Sequence, residues 1–302
     1  GGGRALHADR GVTQWDGTPG SYDLTAHAKE LAARFGTLGD PSRGIVSAGT
    51  PLMVSGLSQH AIAAISPLFS PLGLEVLQAG GSQSAPDPAA PTHFVDGGSL
   101  GVQMARGDVS MFGFGTVTKT EGTRLCGFGH PMMNAGDTAM PAAIPRVLWI
   151  YASEQHSFKV GEAARSLGAL VNDRQSAVVV DETKRAPTFP LHVDVRGVVG
   201  APKTSWNVEV AEEKFMSPAL AAAVLASAVE ATTSERRDVS WTMHSRVTIH
   251  GHAPIELDDF GVAIGGMPDT GDWLSSRAVR VVGDALNNPW ENVHVDAIRS
   301  TL

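Results

Sequence analysis

The sequence predicts a mainly β chain with a few helices, and three observations carry that prediction. Thirty-four glycines and 18 prolines in 302 residues punctuate the chain often enough for many turns. Between them, short runs rich in Val, Ile, Thr and aromatic residues alternate in the manner of strands. Only a few stretches repeat apolar residues at helical spacing. Hydrophobic residues make up 42% and charged residues 18%, enough apolar matter for a substantial core.

Composition also bounds function. Length alone suggests about two domains. The formal charge of -8, with no Lys/Arg run, argues against a nucleic-acid partner. No apolar stretch reaches the ~18 residues of a membrane span, and no signal peptide is visible. The single cysteine, Cys126, excludes an internal disulfide and reads as a small buried hydrophobe in a strand. No cofactor motif occurs: Gly-Phe-Gly-Thr-Val-Thr (113–118) has neither the lysine nor the following helix of a phosphate loop.

In chain order, residues 1–47 form a polar, glycine-rich segment with one helical stretch, Ala26 to Phe35. Ile45 to Val54 is extended. Ser58 suits the N-cap of a helix to about Leu68, ended by Pro67, Pro71 and Gly73. Leu74 to Leu77 reads as a strand, and Gly80 to Pro91 as a surface loop. Phe94 to Val180 reads as short strands with glycine turns, and the apolar run Ile144 to Tyr151 as a strand buried on both faces. Leu191 to Val199 and Trp206 to Val210 suggest antiparallel strands. Ser217-Pro218 is a helix start, leading into the alanine-rich stretch Ala219 to Ala231. Val239 to His250, Ile255 to Leu257 and Val293 to Val295 read as strands, and Asp272 as the cap of one helix through Leu286.

The stretch from Gly113 to Pro141 organises the rest. Val117 sits between threonines, Thr-Glu-Gly-Thr (120–123) turns the chain, and Leu125 and Cys126 resume it. Gly127 and Gly129 then flank Phe128 and lead into His130-Pro131, a histidine placed by its backbone. Gly-Thr-Val-Thr (115–118), Gly-Phe-Gly-His-Pro (127–131) and Asn-Ala-Gly-Asp (134–137) resemble the histidine segment of the SpoIVB-type serine peptidases, a branch of the chymotrypsin-like group. The similarity extends to Pro51–Leu57, Gly98–Asp108, Phe158–Gly161 and Gly168–Arg174.

The resemblance implies a chymotrypsin-like β-barrel portion over 48–200 and a β-sandwich-like domain with two helices over 201–302. It also implies that His130 is a general base and that the substrate is a protein or peptide, with the chain's own N-terminal fragment among the candidates. An extracytoplasmic location, in the cell envelope or secreted, follows from the same likeness. The family's nucleophile motif, Gly-Met-Ser-Gly-Ser-Pro, does not occur in these residues. In the relatives the chain most resembles it lies upstream of the histidine, so the expectation is a serine outside this chain and no activity from the chain alone. The competing expectation is a non-catalytic peptide-binding or structural module on the same fold.

A serine peptidase also needs a carboxylate to orient its imidazole. Asp173, in Val-Asn-Asp-Arg, and Asp137, seven residues after His130, are the candidates. Asp173 also reads as half of a structural salt bridge, and Asp137 as a cap for the turn at Gly136. Gly97-Gly98-Ser99-Leu100-Gly101 matches the hydrolase elbow but continues as a strand where the elbow needs a helix. His250, His252 and Glu256 suggest a metal site only weakly, since no third ligand has a convincing spacing; a polar strand edge is the plainer reading.

Overall fold

Thirteen strands among the described residues join in one mixed sheet, so the mainly β expectation holds. The computed structural model describes residues 49–79, 88–151, 158–174, 176–232, 238–264, 268 and 270–302. The helix expected at 26–35 and most of the loop at 80–91 lie outside the described residues.

β1 (Thr50–Ser55) and β2 (Leu74–Gln78) are parallel neighbours, and α1 (Gln59–Phe69) crosses between them. Ser58 caps α1 as its sequence predicts, its Oγ accepting the Ala61 N–H at 3.1 Å. Pro67 does not end the helix; it sits inside the last turn. Its missing N–H costs one bond, but Phe69 is buried and anchors that turn in the core before Ser70–Leu72 closes it.

β3 (Ser99–Gly107), β4 (Ser110–Glu121), β5 (Arg124–Gly127), β6 (Gly136–Tyr151), β7 (Phe158–Arg174) and β8 (Ala177–Asp181) follow. Their antiparallel ladders run β3–β6–β7–β8–β5–β4 and return to β3, a circuit of six strands. These strands are not all short: β6 has 16 residues and β7 has 17. Register shifts bend the pair beside Pro141 and Pro145, where a residue without an N–H is tolerated.

One expectation needs correction here. Ile144 is buried, but Val147, Leu148, Trp149 and Ile150 are exposed, Trp149 by 69%. The apolar run makes a strand as predicted, yet its side chains from Val147 to Ile150 lie at the surface, while Phe158 and Val160 of β7 pack against the core. Continuity of apolar residues signals extension, not burial.

The chain continues through β9 (Thr188–Asp194), β10 (Ser205–Ala211), α2 (Ser217–Thr232), β11 (Val239–Ile249), β12 (Ile255–Ala263), α3 (Thr270–Leu274), α4 (Arg277–Leu286) and β13 (Val295–Thr301). β9 pairs with β13 in parallel and with β10 antiparallel. The expected boundary at residue 200 falls in the link between β9 and β10, and β10 also pairs with β3. Arg106 on β3 and Glu209 on β10 clasp that junction at 2.7 Å. Residues 49–302 form one compact unit.

α2 is buried almost all round, and its alanines let α1, α3 and α4 pack closely against it. Its N-terminus differs from the expectation. Ser217 is the first helical residue, and the capping acceptor is Glu213, whose carboxylate takes the Phe215 and Met216 N–H groups at 2.7 and 2.8 Å. An anion there also meets the positive end of the helix dipole. The single helix expected from Asp272 is two, because the chain breaks at Ser275 and Ser276 between α3 and α4. No helix among the described residues is long and apolar enough to cross a membrane.

Candidate functional site

The loop carrying His130 is built on the floor of β4. A Cβ at Gly115 would fall 2.2 Å from the Phe128 ring, and one at Gly113 would fall 2.7 Å from Met132 Cε. The two glycines therefore leave a flat strand on which the loop's large side chains lie. β5 ends at Gly127, and Gly129 N–H bonds back to Gly127 O at 2.8 Å around Phe128 at φ 67°. This is the strained, positive-φ form of a three-residue turn. Gly127 is needed for space, since its Cβ would meet Leu100 at 2.5 Å, and Gly129 for its φ of 75°.

His130 emerges half-buried from that turn. Its Nδ1 lies 2.8 Å from the Pro131 carbonyl oxygen. A carbonyl only accepts, so Nδ1 is the donor, and the neutral ring keeps its lone pair on Nε2. The Phe128 ring stands 5.8 Å away, tilted by 44°.

Asp173 has no exposed surface. Its Oδ1 accepts the Met132 N–H at 2.7 Å, and its Oδ2 accepts those of Met133 at 2.7 Å and Ala135 at 3.3 Å. Three backbone donors replace the water that this buried carboxylate loses. Asp173 is thus brought to the loop that carries His130, with its oxygens engaged by backbone. Asp137 sits on β6, 80% exposed, and accepts from Asn172 Nδ2 at 2.7 Å and Arg174 Nη2 at 3.2 Å across the β6–β7 ladder. No hydrogen bond joins either carboxylate to the His130 ring among the described residues.

The other sequence candidates separate. Ser99 opens β3 and runs on as strand opposite Thr116, so no helix follows it. His250 pairs with Asp296 at 3.3 Å and His252 with Glu291 at 3.9 Å, and no group of three metal-ligating side chains occurs among the described residues.

Two features of the structure have no signal in the sequence. Lys159 donates to Thr116 Oγ1 at 2.8 Å, and burial holds its amine below the usual lysine range. Beside the Asp173-tethered loop lies a cavity of about 590 Å³, bounded by Met133 to Ala135, the β10–α2 link and the segment before β13. His294 borders it, with Nδ1 2.7 Å from Glu212 Oε1. These partners are separated by 82 residues, beyond any local pattern.

Comparison with known protein families, with curated proteins and with solved structures returned no match to this chain.

Proposed function

We propose that the chain is the histidine-bearing part of a SpoIVB-type serine peptidase module, with His130 as general base and the serine supplied from a segment outside these residues. One observation carries this reading: the half-exposed His130 is presented by a loop whose backbone is tied at three N–H groups to a buried carboxylate. A base must reach its nucleophile with a fixed lone pair, and Nδ1 donation to Pro131 leaves Nε2 for that role. We read the circuit of six strands as the chymotrypsin-like barrel of this group. Asp173 then acts on the ring through the loop, as a positioning residue.

In this mechanism Nε2 takes the proton of the incoming serine hydroxyl as its oxygen attacks the peptide carbonyl, and returns it to the departing amine. The substrate is a protein of the cell envelope or the chain's own precursor, met outside the cytoplasm. A second reading, a non-catalytic peptide-binding module, draws support from the absence of a described carboxylate on His130. The strands β2 and β12 at the two ends of the sheet order offer places for an extended peptide to add.

The test adds a separately made fragment bearing Gly-Met-Ser-Gly-Ser-Pro to the chain, with casein as substrate. Cleavage that requires both pieces and disappears in His130→Ala supports the peptidase. A docked pair that binds peptides and cleaves none supports the module.

A further inference from the structure

His294 has the carboxylate partner that His130 lacks among the described residues. Glu212 Oε1 lies 2.7 Å from its Nδ1, and Glu212 Oε2 accepts the Val295 N–H at 3.0 Å. The Glu212 side chain is 8% exposed and that of His294 is 55% exposed, so a nearly buried anion holds an accessible ring. A carboxylate accepting a backbone N–H and a ring N–H fixes the tautomer: Nδ1 carries the proton and Nε2 the lone pair. This is the base-and-orienter half of a hydrolytic triad.

The ring also borders a space large enough for a substrate. The cavity of about 590 Å³ has His294 and Glu212 in its wall with Asn134, Asn288 and Asn292. Asn134 stands at φ 58°, in the left-handed region that asparagine adopts more readily than most residues.

We propose that this cavity is a hydrolytic site for an acyl compound, an ester or amide, in which His294 is the general base toward water and Glu212 the positioning carboxylate. Nε2 removes one proton from water as the water oxygen bonds to the acyl carbon. The tetrahedral adduct then breaks its bond to the alcohol or amine, which leaves with the proton returned by the imidazolium. The products are the acid and the alcohol or amine, and the ring ends as it began. Glu212 stabilises the imidazolium between the two steps, and the asparagine amides supply N–H donors for the adduct oxygen. The site is independent of the reading of His130 and requires no serine.

The chain contains its own control. His93 Nδ1 and the Phe94 N–H meet Glu182 at 2.8 and 2.9 Å, the same tie in the same order. His93 does not border the cavity of His294. If the tie alone sufficed, both histidines would act; the cavity assigns the chemistry to His294.

The experiment follows hydrolysis of p-nitrophenyl acetate by the full chain across the pH range in which imidazole titrates. The proposal expects His294→Gln to lower the protein-dependent rate by at least about tenfold, within what a general base contributes. His93→Gln should leave it unchanged. Glu212→Gln should lower kcat with KM little changed, because the imidazolium loses the anion that stabilises it. That readout also carries the test if His294→Gln fails to fold. A rate equal to wild type in His294→Gln, an equal loss in His93→Gln, or a rate insensitive to heavy water would overturn the proposal.

Discussion

Asp173 holds Met132 across 41 residues of sequence, its Oδ1 accepting the Met132 N–H at 2.7 Å. That bond joins β7 to the loop of His130 and makes one device of two motifs. His-Pro-Met-Met-Asn-Ala (130–135) supplies the N–H groups, and Val-Asn-Asp-Arg (171–174) supplies the anion that gathers them.

Asp173→Asn removes the charge and turns an NH₂ group toward backbone donors. Loss of charge-assisted bonds at a buried site should destabilise the fold by about 2–3 kcal/mol. A thermal melt checks it, with a fall of several degrees expected. The freed loop should also make His130 react faster with diethylpyrocarbonate.

Gly115→Ala tests the floor under the loop. The new methyl would meet the Phe128 ring at 2.2 Å, and Phe128 is already in a strained turn. The expected cost is about 1–3 kcal/mol, as for overpacking elsewhere. The chemical shift of the His130 ring should move with its neighbour, while Gly122→Ala, where a Cβ meets nothing within 4 Å, should leave that shift unchanged.

At acid pH the hydrogen-bonded carboxylates decide. Asp96 is lowered to about 2, first by the Lys119 ammonium and then by the Thr120 hydroxyl and N–H. Thr183 lowers Asp181, and for Glu209 the Thr188 hydroxyl and Arg106 together outweigh the upward push of burial. Depressed carboxylates contribute stability above their unfolded values and lose it as pH falls through the folded ones. Urea midpoints should therefore fall from about pH 4 toward pH 2, following the carboxylate reference values, and Asp96→Asn should flatten part of that slope.

His244 gives the opposite sign. Its hydrogen bond to Asp258, with Glu256 on the other ring nitrogen, holds the imidazole above the ordinary 6.5. A raised histidine contributes stability that is full below its unfolded value and lost as pH rises through the folded one. The NMR titration midpoint of His244 should lie above 6.5 and move down in Asp258→Asn, with β11–β12 less protected from exchange on the alkaline side.

Much of the fold was legible because turns are local. Gly122 at φ 59° closes β4 on β5 where Thr-Glu-Gly-Thr predicted it, and Ser58 caps α1 through its own hydroxyl. What sequence could not supply is where an element sits. Trp149 and Ile150 read as core, yet they are exposed; Glu213, not Ser217, takes the N–H groups at the start of α2. His130 stood out through its glycines. His294 did not, since its partner Glu212 lies just after β10 and meets it only in the folded chain.

The central claim, that His130 is a base waiting for a serine from elsewhere, is tested most directly by fluorophosphonate labelling. The isolated chain should take no label, because the imidazole has no serine to activate. With the Gly-Met-Ser-Gly-Ser-Pro fragment docked, label should appear on the fragment's serine and vanish in His130→Ala. Stoichiometric label on a serine of the isolated chain, Ser99 first among them, or labelling of the fragment unaffected by His130→Ala, would contradict the account.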